Sequence, residues 1–375
     1  MRGRLAPSPT GRLHLGNAFA FLAACASIRQ QNGVLVMRVE DIDPDRSRQE
    51  YVAGIIDDLH WLGLDWQEGP GAGPSPKRSG PADSGPAAGP SPSIAPEADP
   101  PGTFGPYVQS ACAPLYTAAI ARLQGMGLVY PCFCTRKELR SLPSAPHGED
   151  GSTLYPGLCR TLSDHTVRTR MAEGRQASLR LDVEKALALL GESPLRADTP
   201  HHPAAPRSGP HDLCLFDHDD AEIRRAFLAG GDFPLMRSDG VVAYQLAVAL
   251  DDARMRITQV VRGNDLVAST PRQMVLCRLL GYEPPRYWHV PLLCDPLGER
   301  LAKRHKGLEL CALREMGVPP QAILGLLAHL AGFTPTPLPL SLDEFVRLFR
   351  MEGLPPAIVL PHDVEGVLTG VGGEK

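Results

Sequence analysis

The stretch Arg4-Leu5-Ala6-Pro7-Ser8-Pro9-Thr10-Gly11-Arg12-Leu13-His14-Leu15-Gly16-Asn17 limits the folds open to this chain more than any other. Residues 3–6 suit a strand end, residues 7–11 force a turn, and an apolar, Ala-rich segment predicts a helix over 15–31. A strand that turns straight into a helix sets the first-turn N–H groups, which lack intrahelical partners, above the strand end. The helix dipole favours an anion at that point. Gly16 would let a flat ring or a phosphate approach the backbone, and His14 offers a donor beside it. This is a nucleotide site in outline, although Pro-Gly turns before helices also occur without any ligand.

The second informative stretch is Arg38-Val39-Glu40-Asp41-Ile42-Asp43-Pro44-Asp45-Arg46, where a strand over 34–39 ends in carboxylates. In an open α/β sheet ligands bind beyond the carboxyl ends of the strands, so Glu40 is placed to meet a substrate amine. Asp43 and Asp45 read as caps of the next helix. Further strands are expected at 177–181, 241–250 and 257–261, and helices at 47–62, 113–125 and 270–280. That alternation predicts a parallel α/β sheet. An anionic substrate group calls for a guanidinium fork, for which Arg4 and Arg262, each at a strand end, are the candidates.

With 375 residues the chain has room for two or three domains, and 38 basic against 42 acidic side chains exclude the strongly basic profile of a non-specific nucleic-acid coat protein. The sequence lacks an apolar run of transmembrane length and a secretion signal, so a soluble, cytoplasmic protein with no membrane partner is expected. Nine cysteines without an export signal point to free thiols or a metal site rather than a disulfide framework. Cys132-Phe133-Cys134, followed by Tyr155 and Cys159, has the donors for a tetrahedral zinc site; the alternative is thiols packed as small hydrophobes. Cys25, Cys112, Cys214, Cys277, Cys294 and Cys311 show no such grouping. Residues 69–103, mostly Gly, Pro, Ser and Ala, predict a disordered insertion. Loops are expected at 141–152 and 191–210, and His201-His202 in the second reads as a solvated turn.

The Pro7 to Asn17 run resembles the HIGH signature of class I aminoacyl-tRNA synthetases, in the form found in their glutamyl and glutaminyl branch. Arg38 to Asp43 resembles that branch's R-[IV]-E-D-[IT]-D pattern, and Tyr244 and Arg262 lie in stretches like its YQLAVVVDD and VRG segments. Arg300-Leu301-Ala302-Lys303-Arg304 resembles the mobile KMSKS loop, with Arg300 and Ala302 replacing the first lysine and the serine, while Lys303 is retained.

The resemblance covers residues 3 to about 307 and implies a Rossmann-like catalytic domain with an inserted zinc-binding subdomain. The implied parts are a first catalytic half over 1–110, the insert over 111–230, a second half with the KMSKS-like loop over 231–306, and a helical region over 307–375 with no anticodon-binding domain. It also implies that His14, Gly16 and Lys303 bind ATP and, with Asn17, form the catalytic group. Arg4, Leu5, Ala6, Pro7, Ser8, Glu40, Tyr244 and Arg262 would bind L-glutamate, Glu40 at its amino group. Cys132, Cys134, Tyr155 and Cys159 would hold a structural Zn2+, and Mg2+ would accompany ATP. The length is that of the shorter, glutamyl-queuosine members, which activate glutamate with ATP and place it on queuosine at the wobble position of tRNA(Asp). A monomer is expected. Two other readings stay open: a compact enzyme charging tRNA(Glu), and a catalytically silent, zinc-stabilised RNA-binding paralogue, suggested by Arg300 and Ala302.

Overall fold

The strand Arg2–Leu5 pairs in parallel with Val34–Met37, with Arg4 opposite Val36. Parallel neighbours need a crossover, and the helix Leu15–Arg29 supplies it. Leu15, Ala18, Phe19, Leu22, Ala23, Cys25, Ala26 and Ile28 are all buried, so this helix is covered on nearly every side. That explains why its sequence is apolar throughout rather than striped. These observations come from a computed structural model that describes residues 1–72, 104–140, 155–195, 218–301 and 306–369. The loop expected at 141–152, His201-His202, Cys214, Ala302 and Lys303 lie outside the described residues.

The chain divides into two compact units. The first comprises Met1–Val108, Leu293–Arg350 and Ala357–Lys375. Beyond the opening strand–helix–strand unit it holds the helix Gln49–Trp61, the parallel pair Leu293–Cys294 with Ile358–Val359, and the helices Leu310–Glu315, Pro320–Leu330 and Leu342–Leu348. The helical pattern expected from residue 307 is therefore present. Residues 69–72, the first part of the insertion expected over 69–103, belong to the described part and pack on the helix Gln49–Trp61. Trp66 Nε1 donates to Pro70 O at 2.8 Å, and His60 Nε2 lies 3.1 Å from Gly71 O. Gly71 has φ 72°, and a Cβ there would approach Ile56 to 2.8 Å, so glycine is required to close this turn onto the helix. Residues 73–103 are outside the described part.

The second unit comprises Gln109–Leu292 and Met351–Pro356. It contains an antiparallel sheet in which Ser178–Leu181 lies between Val129–Cys132 and Pro234–Met236. The strand expected at 177–181 is thus present but pairs antiparallel. A parallel pair, Gln259–Gly263 with Arg286–Val290, is bridged by the helix Thr270–Leu279.

The strand expected over 241–250 is a correction. Only Val242 makes a bridge, to Met236, and Tyr244–Arg254 is a helix. Leu246, Ala247, Val248, Ala249, Leu250, Asp251 and Asp252 are consecutive buried residues. A helix buried on all sides loses its 3.6-residue period and looks like a buried strand in sequence. Tyr244 therefore opens a helix instead of lying within a strand. Among the described residues no helix is long and apolar enough to cross a membrane.

Candidate functional site

The two signature stretches of the first unit are stitched together by backbone. Arg38 N–H donates to Leu5 O at 2.9 Å and Glu40 N–H donates to Pro7 O at 2.9 Å, so parallel pairing continues past the assigned strands. Arg48 N–H reaches Pro9 O at 3.0 Å. Arg4, Leu5 and Pro7 are buried, Ala6 is half-buried and Ser8 is exposed at the turn. Glu40 is 8% exposed, and its Oε1 takes a 2.8 Å ion pair from Nη2 of the fully buried Arg38. Arg38 was not among the expected site residues. In an extended segment residues i and i+2 share a face, and that alternation is the signal that identifies it.

His14 is the N-cap of the helix Leu15–Arg29. Its Nδ1 accepts the Gly16 N–H at 3.0 Å, and its own N–H donates to Asn17 Oδ1 at 3.1 Å, a capping box built from histidine and asparagine. With Nδ1 used as acceptor, the proton of the neutral ring resides on Nε2. A Cβ at position 16 would lie 2.9 Å from His14 Cε1, so glycine here makes room for the folded-back imidazole. Gly16, Asn17 and Ala18 N–H groups all reach His14, through its ring or its carbonyl. The next segment is anchored as well: Leu310 N–H donates to Leu13 O at 2.8 Å, and His14 and Glu309 form an antiparallel bridge. The chain that leaves the KMSKS-like loop is therefore tied back to the HIGH-like turn. Arg300 enters that loop through a bridge to Cys294, while Lys303 is outside the described residues.

In the second unit Arg262 is 5% exposed and well supplied with acceptors. Nη1 donates to Gln273 Oε1 at 2.7 Å, while Nη2 donates to Thr270 Oγ1 at 2.7 Å and Leu266 O at 3.2 Å. The guanidinium also lies 4.9 Å from the centre of the Tyr287 ring. Gln273 and Thr270 come from the crossover helix, at positions where nothing in sequence spacing relates them to Arg262. Tyr244 is half-buried at the start of its helix.

The four expected metal ligands come together. The sulfurs of Cys132, Cys134 and Cys159 all lie within 4.8 Å of one another, and Cys134 Sγ is 3.6 Å from Cys159 Sγ. That is far beyond a disulfide's ~2.05 Å and close to the ~3.8 Å between two thiolates on one tetrahedral zinc. The Tyr155 hydroxyl accepts the Cys159 N–H at 2.7 Å and lies 4.0 Å from Cys134 Sγ. Burial, then the neighbouring Cys132, pushes the Cys134 thiol up to about 12. Burial acts the same way on Cys159, but hydrogen bonds from Tyr155, the Phe133 backbone and Cys134 outweigh it and lower that thiol. Three mostly buried thiols within 4.8 Å of one another fit the sulfur donors of a structural zinc, with the Tyr155 phenol oxygen beside them.

A model of the catalytic domain of class I tRNA synthetases (E and Q) matches residues 1–198 and 216–354. Glutamyl-Q tRNA(Asp) synthetase of Nitratidesulfovibrio vulgaris is 44% identical over 365 residues, 97% of each chain, and its namesake from Symbiobacterium thermophilum is 40% identical over 98% of each. Glutamate--tRNA ligase 2 of Nitrosococcus oceani is 33% identical over 94% of this chain and 64% of its own length. The crystal structure of glutamate-tRNA synthetase from Elizabethkingia anophelis shares the fold, with a TM-score of 0.65 at 21% identity over 97% of this chain and 68% of that one. The chain belongs to the class I tRNA synthetases of the E and Q group, and within them to the family of the glutamyl-Q tRNA(Asp) synthetases.

Proposed function

We propose that this enzyme activates L-glutamate with ATP and transfers the glutamyl group to queuosine at the wobble position of tRNA(Asp). The observation that carries the reading is the 44% identity with a glutamyl-Q tRNA(Asp) synthetase over 97% of both chains. The match to a glutamate--tRNA ligase is weaker, at 33%.

In the first step a glutamate α-carboxylate oxygen bonds to the α-phosphorus of ATP and the bond to diphosphate breaks. In the second a queuosine hydroxyl attacks the mixed anhydride and AMP leaves. Neither step needs a side-chain nucleophile, so the protein's contribution is to position reactants and stabilise spreading negative charge. His14 suits that role, since its capping bond holds the ring still and places the proton on Nε2. Gly16 and Asn17 act through it, by leaving room for the ring and by completing the cap. Glu40, anchored by Arg38, receives the glutamate ammonium beside Arg4, Leu5, Ala6, Pro7 and Ser8. Tyr244 and Arg262 are assigned to glutamate, and Lys303 to the phosphates, on their sequence positions. Magnesium bound with ATP would supply charge neutralisation at the phosphates. Cys132, Cys134, Tyr155 and Cys159 would hold zinc in a structural capacity, remote in sequence from the reacting groups.

The test is transfer of labelled glutamate to tRNA(Asp) with and without queuosine, beside tRNA(Glu). Label confined to queuosine-containing tRNA(Asp) supports the proposal. Label on the acceptor end of tRNA(Glu) points to a charging enzyme, and absence of glutamate-dependent ATP–diphosphate exchange points to a silent paralogue.

A further inference from the structure

Behind Tyr155, the antiparallel sheet of the second unit carries a charge arrangement centred on Asp232. Its fully buried carboxylate accepts from the Tyr130 hydroxyl at 2.5 Å, from Arg160 Nε at 2.9 Å and from the Val183 N–H at 3.0 Å. Arg160 Nη2 also lies 2.8 Å from the same carboxylate. The charge of Asp232 is therefore answered by Arg160. Arg180 makes a different contact, since its Nη1 donates to the Asp232 backbone carbonyl, a neutral acceptor, at 3.0 Å.

The rest of the Arg180 guanidinium covers the Tyr155 ring, with Cζ 4.1 Å from the ring centre. A cation at that distance is attracted by the negative face of the ring. Arg180 sits on the central strand, opposite Tyr130 on one side and Pro234 on the other, so its backbone is fixed from both directions. The ring it covers turns its hydroxyl to the Cys159 N–H and the Cys134 sulfur. Carbonyl, guanidinium, ring and thiols thus form a stack from the sheet to the cysteine cluster.

We propose that Arg180 is a positioning residue for the metal cluster, holding Tyr155 so that the phenol oxygen serves as fourth ligand to a metal bound by Cys132, Cys134 and Cys159. The inference rests on the zinc reading above. Outer partners that orient a metal ligand are typically worth ~10–100-fold in metal affinity. Without Arg180 the phenol would lose its support on one ring face, and water would take its place at the metal.

The experiment uses the full chain with Arg180→Met, Arg180→Lys, Tyr155→Phe and the Tyr155→Phe/Arg180→Met pair. Zinc affinity is read by competition with a chromophoric chelator, and the ligand set from the visible bands of the cobalt-loaded forms. One metal per wild-type chain is expected. Arg180→Met should keep that stoichiometry with affinity lowered ~10–100-fold and shifted cobalt bands, and Arg180→Lys, which retains a cation, should recover part of the loss. In the Tyr155→Phe background the Arg180 change should add less than about two-fold, because no phenol oxygen remains to be placed. An equal loss in both backgrounds would assign Arg180 to the fold alone, and unchanged affinity in Arg180→Met and Arg180→Lys would remove its role. Absence of metal from the wild-type chain would overturn the zinc reading itself, a result distinct from either. Thermal melts of the metal-free forms show whether a variant has lost its fold, in which case Arg180→Lys decides.

Discussion

Arg38 Nη2 lies 2.8 Å from Glu40 Oε1, an ion pair between two buried side chains on one face of an extended segment. Taking away the cation leaves Glu40 to bear its charge in a buried site. Removing one partner of such a pair typically costs about 3–5 kcal/mol. Arg38→Met is expected to lower the urea midpoint accordingly and to raise the KM for glutamate. Stability within ~1 kcal/mol of wild type would mean that Glu40 is held by other groups.

His14 combines a cap and a proposed catalytic donor, and the two separate by substitution. Asparagine is a good N-cap, so His14→Asn should leave stability within about 1 kcal/mol of wild type. Losing the imidazole N–H should lower ATP–diphosphate exchange by about 100-fold or more. Gly16→Ala puts a Cβ where the ring lies, 2.9 Å from Cε1, and should also depress exchange. Exchange that survives both substitutions would exclude the ring from catalysis.

Asp58, buried in the helix Gln49–Trp61, is pushed up to about 6 from its ordinary 3.8. Burial is the main cause, Asp57 adds to it, and Arg12 and Arg314 pull the other way. Between about pH 4 and 6 the folded chain holds a proton here that the unfolded chain has lost. Stability from this group therefore falls as pH rises through that window and stays lower above it. The full effect corresponds to about 3 kcal/mol. Asp58→Asn should flatten the slope and melt higher at pH 7. Urea titrations of both proteins from pH 4 to 8 check this, and parallel curves would dismiss Asp58 as the cause.

Arg262 donates to Gln273 and Thr270 in a buried site, so Arg262→Leu should have two consequences. Leaving buried acceptors without a donor costs about 1–3 kcal/mol each. Glutamate affinity should fall as well if the residue meets the γ-carboxylate. Calorimetric glutamate binding below the melting temperature separates the two, and unchanged affinity would leave Arg262 with a structural role.

Zinc analysis of protein purified without chelators should find one ion per chain, and Cys159→Ser should lose it. Transfer to tRNA should then drop more than glutamate activation. Equal loss of both half-reactions would contradict a purely structural metal.

Local signals in the sequence were sufficient where the physics is local. The helix Ala113–Gly125 and the start of Leu15–Arg29 are legible because a Pro-rich or capped entry and uninterrupted helix formers act within a turn or two of chain. The turn before His14 is legible for the same reason. The Val241 to Leu250 run was not, because burial on every side removes the period that distinguishes helix from strand, and only the surrounding packing decides. The sequence also supplied the cysteines and Tyr155 as donors without their geometry: Cys134 and Cys159 are 25 residues apart and reach 3.6 Å through the fold. Likewise, Pro7 and Glu40 meet because the strands Arg2–Leu5 and Val34–Met37 pair in parallel around a crossover helix. Residue types determine which chemistry is available, while long-range backbone pairing and burial determine which of those groups meet, because contacts between distant residues depend on the closure of the whole chain.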